Sequence, residues 1–520
     1  MNVGMILEMA ASAGDRPAVV TEDGSLSAAD LLDLARAAAA RFRDYPAVVY
    51  LGASHLAYPV ALFGAALAGV PFIPLNYRLG ERPLAALLSR HPGALVLRQA
   101  DLGALLVPGE GPGDGPGDGP GADAEGAPPA PAAADDDPVA VVLYTSGTTA
   151  APKAALLRHR HLLAYVLNTV EFASGEGEAA LVSVPPYHVA GLANLLTSLY
   201  AGRRLVYLAA FDAATWLATV RREGVTHALL VPTMLARVVA ELRAAGPAGP
   251  GATQATARTP TLRSLAYGGA RMPRPVLEEA LRLFPGTGFV NAYGLTETAS
   301  SVAVLTPEDH RAALASADPA VRDRLGSVGR ALPGIEFQVR ALDGTPAGPG
   351  EPGLIFVRGE QISGEYGRPA APGDGSPGDG SPGHGAPGHG ALDADGWFAT
   401  RDRGWLDAAG YLFVAGRADD TIIRGGENIA PAEIEDVLLA HPGITEAAVL
   451  GVPDDEWGQR LVAVVVGEGD PEEIRQWVRD RLRSSKTPDT IVFRAELPKT
   501  ETGKLLRRVL VSELEPAPPA

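Results

Sequence analysis

The residues best suited to chemistry open at 143–162, LYTSGTTAAPKAALLRHRHL. Thr145, Ser146, Gly147, Thr148 and Thr149 offer hydroxyls and an unencumbered backbone in an unbroken row, and Lys153 adds a cation shortly after. A strand running into a Gly/Ser/Thr loop and then a helix turns N–H groups and hydroxyls toward an anion, and phosphate is the natural guest. The G-x-x-x-x-G-K-[ST] phosphate loop is absent. Taken alone, the stretch reads equally as a phosphate cradle and as a polar turn.

Three later blocks supply what a nucleotide would need. NAYGLTETAS (291–300) holds Tyr293, an aromatic face for a base, Thr296, a hydroxyl for a phosphate, and Glu297, a hard carboxylate for Mg²⁺. Residues 396–435 bring Asp402, an acceptor for ribose hydroxyls, and Arg417, a fixed cation. LPKTETGKLLRRVL (497–510) sets Lys504 behind a glycine near the end of the chain.

In this order and spacing the blocks resemble the adenylate-forming superfamily of acyl-CoA synthetases, peptide-synthetase adenylation domains and luciferases, from roughly residue 15 to 510. The resemblance implies ATP-dependent activation of a carboxylic acid to an acyl-AMP with loss of pyrophosphate, then attack by a thiol and release of AMP. It implies ATP and Mg²⁺, with coenzyme A as co-substrate. Thr145, Ser146, Gly147, Thr148, Thr149 and Lys153 would embrace the β- and γ-phosphates. Glu297 would hold Mg²⁺ and Thr296 would meet the α-phosphate. Gly268, Gly269 and Ala270, with Asn291, Ala292, Tyr293 and Gly294, would form the adenine slot. Asp402 and Arg417 would bind ribose. Lys504 would bridge carboxylate and α-phosphate. His188, in PPYHVAGL, would lie near the acyl carboxylate or gate its tunnel; a packed core histidine is the other reading. The second step would turn a C-terminal lid about Asp419 and bring Gly425 and Gly426 to a thiol channel that a side chain would block.

The chain departs from the family pattern at Ala150, Ala154 and Arg401, where glycine is usual. A left-handed backbone at Ala150 or Ala154 would cost about 1 kcal/mol.

The elements that must position these residues read as α/β. Strand-like runs at 140–144, 203–208 and 227–231 alternate with amphipathic helices, the pattern of parallel strands with crossover connections. Asp212 in FDAAT reads as a helix N-cap rather than an amino-acid anchor. After about residue 325, short strands (FQVRAL, GLIFVRG, YLFVAG) suggest a small β barrel or sheet, and an α+β tail follows Arg417. The expected architecture is a large N-terminal domain, residues 1–416, of stacked α/β subdomains plus a small β barrel, and a small mobile α+β C-terminal domain, residues 417–520. Two low-complexity segments, 108–138 and 373–391, carry little that could pack, and mobile surface excursions are expected there. His384 and His389 recur in the second as repeat drift.

Composition narrows the function. A net charge of −17 argues against a sequence-independent nucleic-acid binder. With 0 cysteines, disulfides, thiolate zinc sites and cysteine nucleophiles are excluded. The uncharged stretch 56–75 is long enough to span a membrane, yet Pro59, Gly69, Pro71 and Pro74 make it a short buried helix, a turn and a strand. The amino terminus lacks the basic start of a signal peptide, so the expected location is cytoplasmic. Candidate pocket segments (187–195, 231–235, 266–272, 297–304) are small or apolar, favouring a fatty or aryl acid over a charged one. Arg271 reads as a surface residue. The leading reading is an acyl-CoA synthetase. The alternatives are a free-standing adenylation enzyme that loads a carrier protein and a nucleotide-binding relative with weak or no turnover.

Overall fold

The computed structural model describes residues 2–14, 16–107, 137–145, 152–244, 258–341, 343–367, 392–425, 427–454, 457–500 and 503–514. The 373–391 repeat with its two histidines, residues 108–136, Ser146–Thr149 with Ala150, and Gly426 lie outside them.

Buried apolar runs set the architecture. Val48–Leu51, Phe72–Pro74 and Val139–Thr145 are central strands of a five-stranded sheet, parallel except at its last pair. Ala179–Val182, Arg204–Tyr207, His227–Leu230, Ser264–Gly268 and Gly288–Leu295 form the parallel centre of a nine-stranded sheet with antiparallel edges. Helices Ala28–Phe42 and Ala57–Ala68 lie in the layer between the sheets, and one core joins Tyr50, Phe72 and Val141 to Leu181, Leu205 and Phe289. The two helices cross closely because Gly64 carries no side chain; a Cβ there would stand 2.9 Å from that of Ala38. The 56–75 stretch is the buried helix, left-handed Gly69 turn (φ 75°) and short strand that its prolines indicate. No helix among the described residues is long and apolar enough to cross a membrane. Asp212 caps helix Ala213–Arg222, accepting from the Thr215 N–H at 2.9 Å.

Two features differ from the sequence pattern. The Gly/Ser/Thr loop does not lead directly into a helix. The strands on either side of it, Val139–Thr145 and Lys153–Arg158, pair antiparallel as a hairpin, and helix His159–Thr169 starts only after that second strand. No helix N-terminus therefore stands at Lys153. The small β barrel is an open meander: Glu336–Arg340, Gly353–Arg358, Phe398–Leu406 and Leu412–Arg417 pair in sequence order, with no closing pair among the described residues.

The small C-terminal domain is α+β. Ile444–Asp454 and Gly458–Gly467 pair antiparallel, and Thr490–Arg494 adds in parallel. Helices Pro431–Leu439 and Pro471–Arg479 cover one face and Arg507–Leu514 the other, giving two small cores.

A buried ion pair secures the hairpin. Arg158, at its end, meets Glu365 through Nε and Nη2, both at 2.9 Å. Around it the Leu156 N–H donates to the Glu365 carbonyl at 3.0 Å, and the Gly367 N–H to that of Ala154 at 2.9 Å. Residues 363–367 thus run as a strap along the outer hairpin strand. Glu365→Ala strands a buried guanidinium and is expected to cost about 3 kcal/mol, read as a lowered urea midpoint; an unchanged midpoint contradicts this account of the strap.

Candidate active site

Four elements bring charged and polar side chains together: the hairpin, the antiparallel edge of the large sheet, the four-stranded meander and the C-terminal tail. Register places the central pair. Asp402 and Arg417 stand opposite each other on adjacent strands of the meander, with Arg417 Nε 3.1 Å from Asp402 Oδ1. The Tyr293 hydroxyl, from the neighbouring sheet, donates to the other carboxylate oxygen at 2.5 Å. Asp402 is buried, and burial pushes its carboxyl upward while the Arg417 guanidinium opposes that shift. Burial, then the Asp402 charge, pushes the Tyr293 phenol well above its ordinary value, so it stays a donor. Tyr293 is thus tied by its hydroxyl to the carboxylate the sequence assigns to ribose.

Two of the glycines assigned to the adenine slot stand where a side chain would meet the backbone of a paired strand. Gly268 lies in register with Ala292, and a Cβ on it would be 2.3 Å from the Ala292 carbonyl oxygen. One on Gly294, at a bulge, would be 1.9 Å from that of Ser300. Gly269 turns with φ +80°, and Ala270 follows it, partly exposed. Asn291 donates its amide to the Ser327 carbonyl at 3.0 Å.

Thr296 and Glu297 begin a single 3₁₀ turn, Thr296–Thr298. Ala299 and Ser300 follow with φ of 53° and 129°, two consecutive strained residues. The Tyr366 hydroxyl donates to Glu297 Oε1 at 2.5 Å, and Lys153 Nζ lies 5.5 Å from the Tyr366 ring centroid. Thr145 ends the inner hairpin strand, in register with Lys153. Among the described residues no three His, Asp or Glu side chains cluster for a metal. A single carboxylate at Glu297 fits a Mg²⁺ held mainly by phosphate oxygens and water.

Lys504 joins this group from the C-terminal tail. Its side chain is exposed, yet desolvation and then the Arg417 charge lower its pKa, against the pull of Asp420, Asp402 and Glu297. The Thr500 N–H donates to the Lys504 carbonyl at 2.8 Å, closing a tight turn. Gly503 in that turn has φ +74°, and a Cβ on it would lie 2.3 Å from Thr233 Oγ1. That contact seats the tail on the first turn of helix Pro232–Ala244.

His188 immediately precedes helix Val189–Ala201, half-buried, its ring 5.0 Å from that of Tyr187. Asp419 is exposed in the 3₁₀ turn Ala418–Asp420 that follows Arg417. Gly425, with φ +55°, lies under Trp457; a Cβ there would touch the indole at 3.0 Å. Sequence reasoning missed Tyr366, which no motif marks, and held Thr233 only as part of the candidate pocket segment 231–235. Arg271 is the surface residue the sequence indicates, and it pairs there with Asp436 on helix Pro431–Leu439 of the C-terminal domain.

A family model described as AMP-binding enzyme matches residues 7–366, and one described as AMP-binding enzyme C-terminal domain matches residues 433–504. The chain belongs to the AMP-binding enzyme family. A feruloyl-CoA synthase of an Amycolatopsis species is 36% identical to this AMP-binding enzyme over 482 residues, 90% of this chain and 89% of its own. A fatty acid–[acyl-carrier-protein] ligase of Streptomyces coeruleorubidus is 31% identical over 487 residues, 89% of this chain and 86% of its own. The solved o-succinylbenzoate CoA synthetase of Bacillus subtilis, in complex with its acyl-adenylate intermediate, superposes with a TM-score of 0.76 at 25% identity, covering 98% of each chain.

The departures from glycine in this AMP-binding enzyme divide. Ala154 lies in an extended strand, its backbone unstrained, and packs toward Gly367. Arg401 has φ +63°, in the left-handed region, at a cost of about 1–2 kcal/mol. Arg401→Val, β-branched at positive φ, is expected to lower the melting temperature clearly below that of Arg401→Gly. Equal melting temperatures would contradict the strain.

Proposed function

We propose that the protein is an AMP-forming acid–CoA ligase that activates an apolar acyl or aryl acid to its adenylate and passes it to coenzyme A. The observation that carries this reading is Lys504. A lysine near the chain's end shares one electrostatic neighbourhood with Glu297, Asp402 and Arg417, which come from elements far apart in sequence. An inert nucleotide binder has no need of a mobile cation there.

In this reading residues 1–416 bind the nucleotide and residues 417–520 form the lid. The acid's carboxylate oxygen attacks the α-phosphorus of ATP and pyrophosphate leaves. The Lys504 ammonium offsets charge on the carboxylate and α-phosphate, and Thr296 donates to that phosphate. Thr145, Lys153 and the loop between them hold the β- and γ-phosphates. Adenine lies in the slot at Gly268 and Gly294, and Asp402, held by Arg417, accepts from ribose. Glu297 would hold Mg²⁺, which when bound neutralises phosphate charge. His188 borders the acyl pocket. After adenylation the lid turns at Asp419 and presents Gly425 and Gly426 to the thiol. The carrier-protein ligase among the relatives makes a carrier the alternative acceptor. We place the reaction in the cytoplasm, where its substrates ATP and coenzyme A are available.

Pyrophosphate release across a panel of apolar, aryl and charged acids tests the reading; no release with any acid refutes it. Lys504→Ala is expected to slow adenylation by about 100-fold or more while sparing thioester formation from supplied acyl-AMP. Equal losses in both half-reactions contradict the role given to Lys504. Its lowered pKa also sets a sign. The ammonium is complete below the folded pKa and lost as pH rises through it, so kcat/KM for adenylation falls on an alkaline limb below the ordinary lysine value. Lys504→Arg removes that limb; a limb that persists belongs to another group.

A further inference from the structure

Lys153 and Glu297 stand on elements of different sheets, and the Tyr366 side chain reaches both. The strap 363–367 is fixed to the hairpin by the Arg158–Glu365 pair and by an isolated bridge between Ala155 and Tyr366. The same strap is fixed to the 3₁₀ turn, because the Ser363 N–H donates to the Glu297 carbonyl at 2.9 Å. Tyr366 projects from it with its ring 5.5 Å from Lys153 Nζ and its hydroxyl on Glu297 Oε1 at 2.5 Å.

We propose that Tyr366 is a positioning residue for the metal: its hydroxyl occupies Oε1 and fixes the rotamer of Glu297, so that Oε2 would be left for the cation, while its ring steadies the Lys153 ammonium nearby. This rests on the reading of Glu297 as the magnesium carboxylate. A carboxylate ligand is oriented by the donor on its second oxygen, and removing such a donor typically weakens metal binding 10–100-fold. The cation over the ring is a separate contribution that phenylalanine retains.

That separation gives the test. ATP binding to the full-length wild type, Y366F, E297Q and the double variant is measured by calorimetry, with excess MgCl₂ and again with EDTA, alongside melting temperatures. The expected result is that Y366F loses about tenfold or more of ATP affinity with magnesium, keeps its affinity in EDTA, and melts as the wild type does. In the E297Q background Y366F adds nothing further. The proposal is overturned if the Y366F magnesium dependence superimposes on the wild type or if affinity falls equally with and without the metal. It is equally overturned if the loss persists undiminished in E297Q or if Y366F melts well below the wild type, since the hydroxyl would then hold the fold. Failure of the ligase reading looks different: pyrophosphate release is absent with every acid while the magnesium effect on ATP binding remains.

Discussion

A buried carboxylate organises this molecule. Asp402 is removed from water, and an ionised group in that position is costly unless its lone pairs are met. Arg417 meets one oxygen and Tyr293 the other, so the meander, the large sheet and the last strand before the lid are held to a common point. The Arg417 guanidinium also donates to the Thr400 carbonyl at 3.0 Å, which fixes its plane. The chain's approach to the C-terminal domain is therefore fixed by the same contact that joins the two sheets. Lys504 arrives in a position where that charge pattern already exists.

The geometry around this point is close and rigid, at some cost in backbone strain. Gly268 and Gly294 permit approaches that any Cβ would prevent, while Ala299, Ser300 and Arg401 hold left-handed conformations without that freedom. Strained residues persist when their surroundings over-determine them, and they gather where a site must keep its shape. Here they flank Glu297 and Asp402.

Much of this was legible in the sequence. Alternating apolar runs and amphipathic helices marked the α/β layers, prolines and Gly69 resolved the 56–75 stretch, and Asp212 capped the helix expected of it. The motifs marked Glu297, Asp402, Arg417 and Lys504, which the fold brings together. What stayed hidden depended on pairing between distant segments. KAALLR has the composition of a helix and becomes a strand because Val139–Thr145 and the 363–367 strap flank it. FATRDRGWL carries three charges in its middle, which obscures a strand whose inward residues include Asp402 itself. The glycine pattern cannot distinguish Ala154, where the chain is extended, from Arg401, where it is not. Neither Tyr366 nor Arg271 has a local signature, because each is defined by a partner on another element.

The Arg271–Asp436 contact joins body to lid with both side chains nearly half open to solvent. Ion pairs of that kind contribute at most about 1 kcal/mol and are screened as salt rises. If the C-terminal domain turns at Asp419 as proposed, a fastening so slight biases its orientation without trapping it, changing the balance by roughly fivefold or less. Ionic strength would then act on this enzyme as a mild tuning knob, set at its rim and remote from the reacting atoms.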